Sequence, residues 1–320
     1  MKLGLALSGG GIRGVAHIGV LKALEENNIK IDMIGGTSSG GLIASLYAMD
    51  YKPEHMYNLF KKYSKDVVNM DNKPIINCIK NYIVSKRLGI SGISDGLKLE
   101  KLYTELAKNK NIYCMKDIKM PIAIPSIDLA DAKEYVFSNI IPNGDESNKY
   151  IADIPVGRAV RASSSFPAFF CPCEYESHIF SDGGTLNNIP ANEVKRLGAD
   201  KVISVNFEET TFDGESDVMD IIMRTLDIMG SKISENVLKN SDYVLTIPTE
   251  NVGLLDDSKT ESCFKYGYET TIKKMDDIKR AIWGRTIWLK PKYRLYLNKK
   301  IAFIFVNVMS FRLCTKWPFF

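Results

Sequence analysis

Histidine is almost missing from this chain: His17, His55 and His178 are all there are in 320 residues. No histidine cluster points to a metal, and the six cysteines hold no Cys-x-x-Cys pair that would. Spread as they are, the cysteines do not read as a disulfide framework either. No apolar run approaches the roughly 18 residues of a membrane span. The start, MKLGLALSGGG, has one lysine and a short apolar run ending in glycines, with no small-residue cleavage site, so it reads as a strand and not a signal peptide. A reducing, cytoplasmic setting is expected, with no metal or organic cofactor. Acidic residues are absent from 281–320, which carries eight Lys or Arg; without that stretch the remaining 280 residues have a net charge of −4. A mildly acidic body argues against nucleic acid as the partner.

What is present is an ordinary globular composition, 45% apolar and 25% charged. Leu3–Leu7 is a short apolar run that breaks at three glycines, and residues 12–24 are apolar or small nearly all round: strand, tight turn, buried helix. Residues 31–34 form a second strand before the glycine-rich GGTSSGG, and 42–49 a second helix. Gly40, Gly41, Ala44, Ser45 and Ala48 give that helix a small-residue face on which another backbone can pack. Further strands are expected at 122–127, 134–137, 201–207 and 243–247, with helical patterns between several of them. Such alternation predicts an α/β fold, a single domain with a central, mainly parallel sheet and helices on both faces. Residues 66–100 are less regular and suggest a surface excursion.

Two glycine turns carry the chemistry. Gly9, Gly11 and Gly14 fit the dinucleotide fingerprint G-x-G-x-x-G after a strand. That use also wants an acidic residue at the far end of the second strand, where the chain has GGTSSGG instead, and Asp32 lies at the strand's start. A nucleotide-binding or scaffold protein therefore stands as an alternative only. Backbone N–H groups on such a loop can equally hold a developing oxyanion. Gly36-Thr37-Ser38-Ser39-Gly40 is a G-x-S-x-G pattern between strand and helix, the setting of a nucleophile elbow. Its base is not obviously histidine. Only His178 follows in the right order, within Glu174-Tyr175-Glu176-Ser177-His178, which alternates like a strand and reads as outward-facing. Four residues on, Asp182-Gly183-Gly184 is a hairpin-turn signal by itself, or a carboxylate on a turn small enough to approach Ser38.

Together GGGIRG, GTSSG and DGG, in that order and spacing, resemble the patatin-like phospholipase family. Arg161-Ala162-Ser163-Ser164-Ser165-Phe166-Pro167 and Asn187-Asn188-Ile189-Pro190 resemble its flanking segments, and the likeness covers roughly residues 1–280. The resemblance implies Ser38 as nucleophile, Asp182 as its proton acceptor, and an oxyanion hole from Gly9, Gly10 and Gly11, chiefly the last two. It gives Arg13 the loop's basic position, with Gly14, Gly36, Gly40, Gly183 and Gly184 as motif support. Ser8 stands where some members carry Asp. Implied too is hydrolysis of lipid acyl esters through an acyl-enzyme, with carboxylesterase or thioesterase action on smaller acyl compounds as the nearest alternative. An apolar cleft beside Phe166, Pro167, Phe169 and Phe170 would take the acyl chain, though such a stretch equally forms plain core.

Residues 281–320 hold all three tryptophans and seven further Tyr or Phe. This segment is expected to lie outside the domain, either as a peripheral membrane contact with aromatics at headgroup depth or as an altered reading-frame end.

Overall fold

A computed structural model of the protein describes residues 1–68, 92, 94–144, 147–208, 218–249, 252–253 and 256–284. Most of the irregular stretch expected at 66–100, and the tail from residue 285 on, lie outside the described residues. Residues Met1–Met275 form one compact unit and Asp276–Phe320 a second. The sheet and the helices that cover it belong to the first.

The chain order is β1 (Leu3–Leu7), a 3-10 turn (Gly11–Gly14), α1 (Val15–Glu26), β2 (Met33–Gly36), α2 (Ser39–Ala48), α3 (Pro53–Val68), α4 (Leu97–Lys108), β3 (Ile122–Asp128) and β4 (Lys133–Ser138). There follow β5 (Tyr150–Ile151), α5 (Val156–Ser163), β6 (Cys173–Tyr175), β7 (His178–Asp182), α6 (Ala191–Arg196), β8 (Lys201–Phe207), α7 (Val218–Leu238), β9 (Tyr243–Ile247) and α8 (Thr260–Lys273). One sheet runs in the order β5-β4-β3-β2-β1-β8-β9, with β7 on β3 and β6 on β7. The pairs β1–β2, β1–β8, β2–β3, β8–β9 and β4–β5 are parallel; β3–β4, β3–β7 and β6–β7 are antiparallel. The expected mainly parallel α/β sheet is therefore what forms.

Both faces are covered, as the strand period of two requires. On β1, Ala6 points to the side where Val194 of α6 packs with Met33, Ala123 and Val202. On the opposite side Ile124 of β3 meets α2 at Gly41. Leu5, Leu7, Ile34, Ile124 and Val205 are fully buried between layers, each contributing roughly 1.5–3 kcal/mol.

β3 does something the sequence did not announce. Its first residues pair with β2 (Ile34 with Ile122, Gly35 with Ala123), and its last pair with β7 (Asp182 with Ser126, Phe180 with Asp128). Two strands thus share one flank of β3 and meet end to end at Pro125. Proline has no N–H to donate, so it fits a position on that flank where neither partner needs one.

Behind the glycine loop, α1 and α8 cross in backbone contact: a Cβ on Gly267 would overlap the Ala16 carbonyl, and one on Gly19 the Phe264 carbonyl. Gly267→Ala is expected to push these helices apart and cost about 1–3 kcal/mol, read as a lower urea midpoint at unchanged m-value.

Candidate active site

Ser38 caps the N-terminus of α2 with φ 53 and ψ −124, a conformation that non-glycine residues rarely adopt. Holding it costs on the order of 1–3 kcal/mol, and the surrounding backbone supplies that. The elbow closes so tightly that a Cβ on Gly36 would overlap the Gly40 carbonyl, and one on Gly40 the carbonyls of Leu7 and Ser8. These are the two places where the G-x-S-x-G glycines are needed, and they realise the close packing expected of the small-residue face. Helix α2 begins directly at Ser39, three residues earlier than its apolar periodicity suggests, so the positive end of the helix lies at the serine.

Partners from remote segments fix the elbow. The Ser38 N–H donates to Ser163 Oγ at 3.1 Å, and Ser163 in turn donates to the Pro125 carbonyl at 2.6 Å. Thr37 donates from its hydroxyl to the Asn187 carbonyl at 2.7 Å. The two flanking segments of the family-like pattern therefore clamp the turn, a role that no local sequence signal discloses.

Asp182 ends β7, beyond the junction at Pro125, and its N–H donates to the Ser165 carbonyl at 3.0 Å. After it the chain makes a 3-10 turn over Gly183–Thr185, not a hairpin, and Asp182 Oδ1 accepts from the Gly184 N–H at 2.8 Å. Only 3% of the residue is exposed, and burial pushes its carboxyl up to about 6, with the Ser38 hydroxyl and the Gly184 N–H drawing it partly back. Although Ser38 is near enough to act on that carboxyl, Oδ2 has no partner of normal hydrogen-bond geometry among the described residues. Such loose engagement before substrate arrives is common in catalytic pairs.

The glycine loop faces the same point. A Cβ on Gly9 would lie 3.3 Å from Ser38 Cβ. The Gly9 N–H, however, donates to the Asn188 carbonyl and side chain, both at 3.1 Å, which removes it from the expected set of oxyanion donors. The N–H groups of Gly10 and Gly11 have no partner among the described residues, and both glycines line the cavity with Ser38. Arg13, buried to 3% exposure, fixes the peptide that carries the Gly11 N–H: its backbone N–H and its Nε both donate to the Gly10 carbonyl at 3.2 Å. Its Nη2 donates to Asp227 of α7 at 2.8 Å.

The histidines stand aside. His17 is buried and neutral, its pKa lowered to about 4 by desolvation, and its Nε2 bonds the Ser8 carbonyl at 2.9 Å, bracing the loop. His178 is less exposed than an outward strand residue would be. It stacks on Phe180, and its Nδ1 meets Asp128 at 2.7 Å. It sits at the other end of β7 from Asp182, about 13 Å away at the strand rise. His55 packs edge-on against Tyr51. None of the three lines the cavity.

Ser38, Asp182, Gly10 and Gly11 all line that cavity. Its walls are apolar: Leu42 and Leu46 of α2, Leu59 and Phe60 of α3, Leu99 and Leu106 of α4, and Leu226 and Met229 of α7. Phe166, Phe169 and Phe170 also line it, so this stretch is cleft wall as well as core, while Pro167 is not among its lining residues. Among the described residues no group of three His, Cys, Asp or Glu could hold a metal, and no helix is long and apolar enough to cross a membrane.

The chain is similar to several known proteins. Lysophospholipase NTE1 of Meyerozyma guilliermondii is 28% identical over 300 residues, covering 83% of this chain and 19% of its own length. Patatin-like phospholipase domain-containing protein 7 of Rattus norvegicus is 25% identical, covering 83% and 20%. The chain thus spans about a fifth of the length of these curated relatives. Among solved structures, VipD from Legionella pneumophila aligns with a TM-score of 0.46 at 14% identity, over 86% of this chain and 67% of that one. Human GIVD cytosolic phospholipase A2 aligns with a TM-score of 0.45 at 11% identity, over 88% and 58%. The model of the patatin-like phospholipase family matches residues 5–195, a span that includes both Ser38 and Asp182, and the chain belongs to that family.

Proposed function

We propose that the protein is a lipid acyl hydrolase of phospholipase A type, with Ser38 and Asp182 as its catalytic pair. One observation carries this reading above the rest: a strained serine and a buried carboxylate with an unpartnered oxygen line the same largely apolar cavity. Ser38 Oγ attacks the acyl carbonyl as its proton passes to Asp182. The oxyanion that forms is met by the Gly10 and Gly11 N–H groups, each such donor being worth roughly 3 kcal/mol. Collapse of the intermediate expels the alcohol, which takes the proton back from Asp182 and leaves acyl-Ser38. Water, deprotonated by Asp182, then releases the fatty acid and restores the hydroxyl. An apolar cavity walled largely by leucine favours a long acyl group over the small acyl compounds of a general esterase.

In this reading residues 1–280 are the hydrolase domain and 281–320 a basic, aromatic extension that touches the membrane peripherally from the cytoplasm. No nucleic acid, metal or organic cofactor takes part.

Ser38→Ala is expected to lower fatty-acid release from phospholipid by about 10³-fold or more and to abolish labelling by a fluorophosphonate. Undiminished release would end the proposal.

Because Asp182 must be unprotonated to accept a proton, kcat/KM should rise with pH through a midpoint near 6. Stability should run the other way. A carboxyl raised from 3.8 to about 6 favours the folded state below pH 3.8, and that advantage is lost as pH rises through 6. Asp182→Asn should therefore be more stable than the parent at pH 8 by up to about 3 kcal/mol, equal to it near pH 3.5, and inactive at both. Thermal melts at the two pH values check the sign.

A further inference from the structure

Helix α7 packs Val237 and Leu238 at its end against the core, but turns small and polar residues inward over its middle. Asp227, Gly230 and Ser234, three and four residues apart, form the side turned to the protein. Asp227 reaches Arg13, Gly230 packs beside Gly184 and Asn188, and Ser234 is buried with its hydroxyl on the Gly230 carbonyl. Away from that side, among the described side chains, Ile221 is 50% exposed, Ile228 45% and Met229 47%, with Thr225 exposed between the isoleucines. Leu186, on the turn just after Asp182, adds a fourth at 44%. On a water-facing helix such outward positions are normally polar. Single exposed aliphatics are common, but three close together on one helix are not.

We infer that this face of α7, with Leu186, is the surface by which the protein lies on a lipid aggregate. The location of Met229 decides the occupant. It lines the cavity with Ser38 and is also half exposed, so the apolar outer face continues into the apolar wall. An acyl chain leaving a lipid surface against these residues enters the cavity without crossing water. Further along the same outer side come Lys232 and Glu235, paired with each other, which bound the apolar patch at the charged edge. Their opposite signs select neither an acidic nor a basic partner, and the attraction comes from the aliphatic side chains. The inference rests on the lipid hydrolase reading for the nature of the partner.

Full-length Ser38→Ala protein sedimented with phosphatidylcholine vesicles tests it, with and without the added pair Ile221→Glu and Ile228→Glu. Neither isoleucine lines the cavity. The pair should reduce the bound fraction about tenfold. In protein that keeps Ser38, the same pair should leave turnover of water-soluble nitrophenyl butyrate within about twofold, showing the fold and site intact. Should the acidic pair fail to fold, Ile221→Ser with Ile228→Ser replaces it, with an expected loss of about threefold. Unchanged sedimentation by a folded variant overturns the inference. So does a dimer that either pair converts to monomers, since the surface would then face a second copy of the chain. Binding is read on protein lacking the nucleophile, so a failure of the hydrolase reading would show separately, as absent ester turnover in the parent.

Discussion

The site depends on β3 having two neighbours on one flank. β2 arrives in parallel, β7 in antiparallel, and each pairs with only part of β3, so their carboxyl ends point at each other across Pro125. Ser38 follows one end and Asp182 is the other. No loop has to be long or mobile to bring them together, because the sheet register does it. A slip of one residue in either pairing would turn the strand's side chains to the opposite face and separate the pair. The hydrogen bond from Ser163 to the Pro125 carbonyl, with the Ser38 N–H on the same hydroxyl, ties the junction itself to the elbow.

Two costs are borne at this point, and both have chemical uses. Positive φ at Ser38 lifts the hydroxyl off the helix into the cavity. Burial of Asp182 with one oxygen unpartnered makes the carboxylate a stronger base. Each is unfavourable to folding by a few kcal/mol; the Ser163 and Thr37 hydroxyls hold the elbow, and the Gly184 N–H holds the carboxylate. Arg13 serves twice, since it holds the Gly10 carbonyl and joins that loop to α7 through Asp227. The glycine loop and α7, both of which line the cavity, are thereby tied together.

Legibility followed sequence distance. The elbow and the glycine loop are contiguous strand-turn-helix segments, and their glycines had readable spacing; the strands at 201–207 and 243–247 formed as their apolar runs suggest. Helix starts were less visible, because Ser39, Gly40 and Gly41 carry no apolar stripe and yet begin α2. Contacts that complete the site join residues far apart: 125 positions for Ser38 and Ser163, 179 for Gly9 and Asn188, 214 for Arg13 and Asp227. Nothing in a local pattern encodes them. The DGG turn was ambiguous for the same reason, since a hairpin and a carboxylate cap on a 3-10 turn use the same three residues. Helix α7 was obscured differently: it turns Gly230 and Ser234 inward and leaves Ile221, Ile228 and Met229 half exposed, so the rule that apolar means inward misreads that stretch.

Near-absence of histidine then has a physical sense. An imidazole titrates near 6.5 in water, which suits it to take a proton from serine at neutral pH, whereas an exposed aspartate near 3.9 is too weak. Desolvation closes most of that gap, bringing Asp182 to about 6. The carboxylate also needs no third residue to set a tautomer, because the Gly184 N–H and the β7 backbone already fix its plane. Histidine is thus left to structural work: His17, neutral in the core, holds the Ser8 carbonyl, and His178 closes on Asp128 at the far end of β7. The proposed dyad would trade an orienting residue for burial, and so it requires a fold that keeps water from the carboxylate, which is what the end-to-end meeting of β2 and β7 beneath the glycine loop provides.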